Sequence, residues 1–182
     1  MKIESGTGTP YEVQVDSENR LYVLGDTKSF DRHVNEEGRY WTLWGDAITA
    51  VGANDYFIYL KNTGTTNLVI TDIRVSSTVA TRLTYESVTG TPTYSGGGAI
   101  AITPANNNIG NSQAPTATIN SGTNITGLTG TVLAFEEIKT TAQQYHLSKS
   151  SGFIIPQGSA FAIKRVAATG AVTVAISLAA DD

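Results

Sequence analysis

Residues 55–75 read DYFIYLKNTGTTNLVITDIRV, two apolar runs around a Thr/Gly/Asn turn. Few folds accept such a pair. Val, Ile, Thr and aromatic residues suit pleated, half-buried surfaces, while Asn and Gly supply turn conformations. In LVITDIRV, Val69, Thr71, Ile73 and Val75 share one side of a strand, leaving Asp72 and Arg74 opposite. YFIYL is apolar at every position, the mark of a strand covered on both faces. The second cover is expected from a neighbouring subunit rather than from the same chain. The last strand alternates most clearly, with Val172, Val174, Ile176 and Leu178 opposite Thr173, Ala175 and Ser177.

Further strands are expected in YEVQV (11–15), RLYVL (20–24), YWTLWGDAITAV, TRLTYESV, GAIAITP, GTVLAFEEI, FIIP and AFAIKRVA. The first two flank the polar turn DSEN and form a hairpin, after which a charged, irregular link runs over 25–39. Residues 1–39 are therefore expected as an arm, hairpin plus link, and 40–182 as a sandwich. No segment holds a 3.6-residue period with caps at both ends; TTAQQYHL (140–147) suits one or two helical turns. Gly, Asn and Thr dominate 89–130, which reads as the crossing loops of a double-sheet jelly roll. At 182 residues the chain should bury roughly 70% of the surface its unfolded form exposes. The expected fold class is all-β, a jelly-roll-like antiparallel β-sandwich with an N-terminal β-hairpin arm.

Chemistry is hard to find. The chain has no cysteine, so disulfides and thiolate metal sites are excluded. Its formal net charge is −4, with basic residues scattered singly, so no nucleic-acid partner is expected. MKIESGTGTP lacks the apolar core of a secretory signal, and no run approaches the roughly 20 apolar residues of a membrane span. Synthesis as a soluble product in a host cytoplasm is expected, without a membrane partner. His33 and His146 sit singly in polar settings. Glu136 and Glu137 are adjacent on a strand, hence on opposite faces, and cannot flank one bond. DSENRL starts like a calcium loop but has Leu21 where Gly is wanted, so Asp16 and Asn19 read as turn residues. GGG at 96–98 lacks the Lys-Ser/Thr of a phosphate loop, and Ser112 has no strand-to-helix elbow. No catalytic residue, metal ligand or cofactor is expected. Trp41 and Trp44 read as core or subunit interface, and with Tyr94 they are the candidates for a sugar- or receptor-binding platform.

The order of the pieces resembles virion structural proteins of tailed bacteriophages with a jelly-roll body, of the head-decoration or cement type. The matching stretches are VDSENRLYVLG, NEEGRYW, YFIYLKNTGTTNLVITDIRV, ITGLTGT and GFIIPQGSAFAIKRVAATGAVTVAISL, and the likeness as a whole runs from about Val13 to Leu178. The resemblance implies a non-catalytic protein, often trimeric, on the outer capsid surface, with the major capsid protein and itself as partners. The arm is then expected to contact the capsid or a neighbouring subunit through Tyr11, Val13, Val15, Leu21, Tyr22 and Val23. Trp41, Trp44, Tyr56 and Ile58 are expected at the subunit interface. The alternative is a receptor- or carbohydrate-binding module of a tail fibre or spike.

Overall fold

A computed structural model describes residues 30–49, 52, 54–95, 98–139, 144–166 and 170–181, with 2–4, 10–12, 14–15 and 21–22. The chain divides into two units, 1–30 and 31–182. In the first, β1 (Lys2–Glu4) pairs antiparallel with β2 (Pro10–Glu12), Ile3 opposite Tyr11. Likewise β3 (Gln14–Val15) pairs with β4 (Leu21–Tyr22), Val15 opposite Leu21. The expected hairpin is β3–β4. Three residues are too few to show an alternation, so β1 left no signal.

The division falls at 30/31 instead of 39/40, and residues 31–39 of the charged link belong to the second unit. There α1 (Phe30–Glu36) replaces the expected irregular chain. Val34 is buried. The Gly38 amide donates to the Asn35 carbonyl at 2.9 Å and the Arg39 amide to the Val34 carbonyl at 2.7 Å, the paired bonds of a helix C-cap. Two apolar residues, Phe30 and Val34, in a seven-residue helix are too few to make a periodic pattern.

The body then runs β5 (Tyr40–Thr49), β6 (Tyr56–Asn62), β7 (Asn67–Ser77), β8 (Thr81–Ser95), β9 (Ile100–Ala101) and β10 (Ala105–Asn106). It continues with β11 (Ala117–Ile138), β12 (Gln144–Ile155), β13 (Ala160–Arg165) and β14 (Ala171–Asp181). One sheet has the order β10-β5-β14-β7-β12, the other β6-β13-β8-β11-β9. Apart from the short β9 and β10, the chain alternates between sheets at every step except β8 to β11. That is the strand order of a jelly roll. Several expectations need correction. Residues 144–147 are extended in β12, Gln144 opposite Ser76, and not helical. GAIAITP (98–104) holds only the two-residue β9, and β10 follows it on the other sheet. Both β8 and β11 extend far into the Gly/Asn/Thr stretch read as loop.

Between the sheets Phe57, Leu60, Leu83, Phe161, Val174, Ile176 and Leu178 are buried almost completely. Tyr85, Phe153 and Phe161 pack ring against ring, with centroids 5.7 to 6.5 Å apart. β7 departs from simple alternation. Ser177 of β14 faces Asp72 and Leu178 faces Ile70, so Thr71 is an extra residue. The bulge flips the phase, and Leu68, Ile70, Ile73 and Val75 face the core instead of Val69 and Thr71. Asn62, fully buried at the β6–β7 turn, donates to the Thr66 and Ile155 carbonyls at 2.8 Å and accepts from the Gly64 amide.

The second cover of β6 comes from the same chain. β11 pairs with β8 through residues 124–138 and with β6 through 117–125, so β6, β13, β8 and β11 pair in a closed cycle. Where β8 and β11 bulge past each other, Gly90 and Gly127 have φ of 102° and 76°, and a Cβ on either would strike opposing backbone. The closure holds a smaller core of Tyr56, Tyr59, Val88, Ile125 and Ala162. Glu86 is buried beside it, accepting from Tyr56 Oη at 2.5 Å and Thr84 Oγ1 at 2.6 Å.

Two outcomes follow from this packing. A Cβ on Gly130 would meet Glu86 Oε2 and Tyr56 Oη, so Gly130→Ala should lower unfolding free energy by about 1–3 kcal/mol in denaturant melts. Burial, with a carboxylate hydrogen bond, pushes the Tyr56 and Tyr85 phenols above their ordinary value of 10.0. A raised folded-state value means stability that is intact below pH 10 and lost as pH rises beyond it. Thermal midpoints should fall above that pH, and less steeply in Tyr85→Phe than in the native chain.

Candidate functional site

The two flanks of the sandwich are finished differently. On one, β10 pairs with the outer edge of β5, Asn106 opposite Trp41, and β11 covers the edge of β6. The Asn-rich loop after β10 is tied down there. Asn106 and Asn108 donate side-chain amides to the Gly38 and Glu36 carbonyls at 2.7 and 3.2 Å, satisfying acceptors at the end of α1. Trp41 Nε1 donates to the Gln113 carbonyl at 2.7 Å.

The other flank is open. Beyond Ile125 the second edge of β11 pairs with no strand among the described residues, and β12 pairs only with β7. Rows of unpaired N–H and C=O groups make such edges ready to accept another strand. Apolar side chains accompany them. Val132, Leu133, Phe135 and Ile154 are 45–58% exposed, and the β8–β11 register shifts between Val132 and Ala134. That bulge turns both Val132 and Leu133 outward. Leu133, Phe153, Ile154 and Pro156 line a shallow groove of about 90 Å³. Arg82 lies over the Phe135 ring, 4.3 Å from its centroid.

The residues expected at a subunit interface are redistributed. Trp41, Tyr56 and Ile58 are 2%, 7% and 1% exposed within one chain, so they have almost no surface to offer a neighbour. Trp41 and Ile58 belong to the main core and Tyr56 to the smaller one. Trp44 is exposed. In the arm, Tyr11, Val15, Leu21 and Tyr22 lie on paired strands, while Val13 and Val23 lie outside the described residues, as do Asp16, Asn19 and two of the three glycines at 96–98. Residues 132–135 and 154 escaped selection because TVLAF and FIIP read as ordinary core strands. Their edge position follows from which strands lack a second partner, which a local pattern does not carry.

The charged candidates stay apart. His33 of α1 pairs with Glu37 just beyond it at 3.3 Å, and His146 with Asp72 on the β7–β12 pair. Glu136 accepts from Tyr85 Oη at 3.0 Å, whereas Glu137 is exposed on the opposite face, as strand alternation requires. Among the described residues no group of three or more His, Asp or Glu side chains is placed to hold a metal ion, and no helix is long and apolar enough to cross a membrane. Arg165 is fully buried. Its Nη1 donates to the Gly170 carbonyl at 2.5 Å, Nε and Nη2 have no partner among the described residues, and burial lowers its pKa.

Fold and surface together define a jelly-roll sandwich with one closed flank and one open, apolar flank. No family model, curated protein or solved structure matches the chain. Exposure predicts how the flank responds to change. Leu133→Lys with Ile154→Lys should shift unfolding free energy by less than about 1 kcal/mol, whereas Trp41→Ala should cost about 3–5 kcal/mol. Denaturant melts of the three chains separate the two classes.

Proposed function

We propose that the chain is a non-catalytic structural protein of a bacteriophage virion, binding the outer capsid surface as a decoration or cement protein and reinforcing the shell. Its partners are the major capsid protein and further copies of itself, in a homotrimer. One observation carries the reading. The sandwich uses strands and loops to close one flank, yet leaves the other with two edges unpaired among the described residues and with exposed Val132, Leu133, Phe135 and Ile154. A second copy is the occupant this flank suits, since a ring of three identical chains hides all such edges at once.

The division at 30/31 supports the rest. The separate N-terminal unit, with its short antiparallel pairs, is the part that contacts the capsid or a neighbouring subunit. Three such units engaging together raise avidity over a single contact by about 10²- to 10⁴-fold.

Sedimentation of the full chain across a concentration range tests the assembly. A species at three times the 19.2 kDa chain mass is expected, with Leu133→Lys/Ile154→Lys sedimenting as monomer. Added to capsid shells lacking it, the native chain should cosediment and the chain trimmed of residues 1–30 should not. A native monomer that also fails to cosediment would overturn the reading.

A further inference from the structure

The far end of β5 leaves regular strand geometry. Ala47 has φ 46°, a left-handed conformation that an ordinary L residue keeps only where its surroundings enforce it. Here Thr173 enforces it. The Ala47 amide donates to Thr173 Oγ1 at 3.2 Å, and that hydroxyl donates to Asp46 Oδ1 at 3.0 Å. Across from this bulge β11 has its own, where pairing with β6 shifts between Ser121 and Ile125.

Between the two irregularities lies a cleft of about 410 Å³, within the size range of small-ligand sites. Trp44 stands on the β5 side and Ile100 on the β9 side, 58% and 57% exposed. Asp46, Thr49, Thr103 and Thr123 supply polar groups between them. The Thr173 hydrogen bond orients the Asp46 carboxylate through one oxygen, and Oδ2 has no partner among the described residues.

We propose that this cleft binds a neutral saccharide. A pyranose ring presents an apolar C–H face whose hydrogens carry partial positive charge, which suits the negative face of the exposed indole. Its hydroxyls are donors, and an ionised carboxylate is the strongest acceptor for them. No Lys, Arg or His lines the cleft among the described residues, so phosphate, nucleic acid and acidic sugars find no counter-charge. A strand-like peptide needs an unbroken row of N–H and C=O groups, and the bulge at 46–47 interrupts that row. The site lies apart from Val132, Leu133, Phe135 and Ile154, and does not depend on how the chain assembles.

The chain has two tryptophans, and Trp41 is 2% exposed, so iodide quenching of fluorescence reports on Trp44. The full chain is titrated with maltotriose, cellotriose and the β-1,4 trimer of N-acetylglucosamine, each to about 10 mM, a range that reaches millimolar affinities. Saturable shielding by at least one of them is expected. By calorimetry, Trp44→Ala should abolish binding of that sugar and Asp46→Asn should weaken it about tenfold or more, with Phe135→Ala unchanged. Trp44→Ala should keep the native thermal midpoint and sedimentation mass, which separates sugar binding from assembly. No saturable shielding by any of the three, or undiminished binding to a folded Trp44→Ala chain, would overturn the proposal.

Discussion

The body depends on one strand changing partners along its length. β11 spends residues 117–125 on β6 and 124–138 on β8. A straight strand would pair with β8 alone and leave β6 as an exposed edge with Tyr56 and Tyr59 facing solvent. By bending at its bulges, β11 satisfies the backbone groups of both neighbours and closes the cycle of four strands. The bend also decides what is buried. Glu86 keeps its carboxylate inside because Tyr56 and Thr84 each donate to it, and an unsatisfied buried carboxylate would be far costlier than either bond is favourable.

The same bend sets the contrast between flanks. The N-terminal half of β11 is used up in covering β6, so only its C-terminal half remains available, where Leu133 shares a groove with Phe153 and Ile154 of β12. Two strand edges are left there without any change in local composition, and Leu133 and Ile154 line one groove between them. The two proposed roles, lateral association and sugar recognition, draw on different surfaces. One uses unpaired backbone and aliphatic side chains. The other uses a single exposed indole beside an oriented carboxylate.

Much of the architecture was legible in the residues. Val172 to Leu178 face inward in the order their alternation requires, and β6 is covered on both faces as an all-apolar strand demands. Legibility failed where tertiary pairing overrides local pattern. ATINSGTNITGLTG looks like loop because its Gly and Asn residues permit the bulges, yet long-range partners make it strand. Thr71 inverts the phase of β7 with no mark in LVITDIRV. The interface candidates Trp41, Tyr56 and Ile58 were chosen for size and hydrophobicity, which do not distinguish a core from a subunit contact. Trp44, three residues from Trp41, lies on the opposite face by strand parity, and that much the sequence could have signalled.

Strand order has a consequence in time. β14, the final strand, lies between β5 and β7, with Ala179 opposite Tyr40. The first body strand therefore waits for the last before it gains its main partner, and during synthesis β5 and β7 stand with facing edges empty. Pairings so distant in sequence carry a large loop-closure cost, and all-β sandwiches of this kind fold in roughly milliseconds to seconds. Until then the nascent chain exposes more unpaired strand than the finished molecule does, and encounters between unfinished copies compete with completion of each one. The insertion of β14 is thus the step that fills the facing edges of β5 and β7 and leaves fewer strand edges open to another copy.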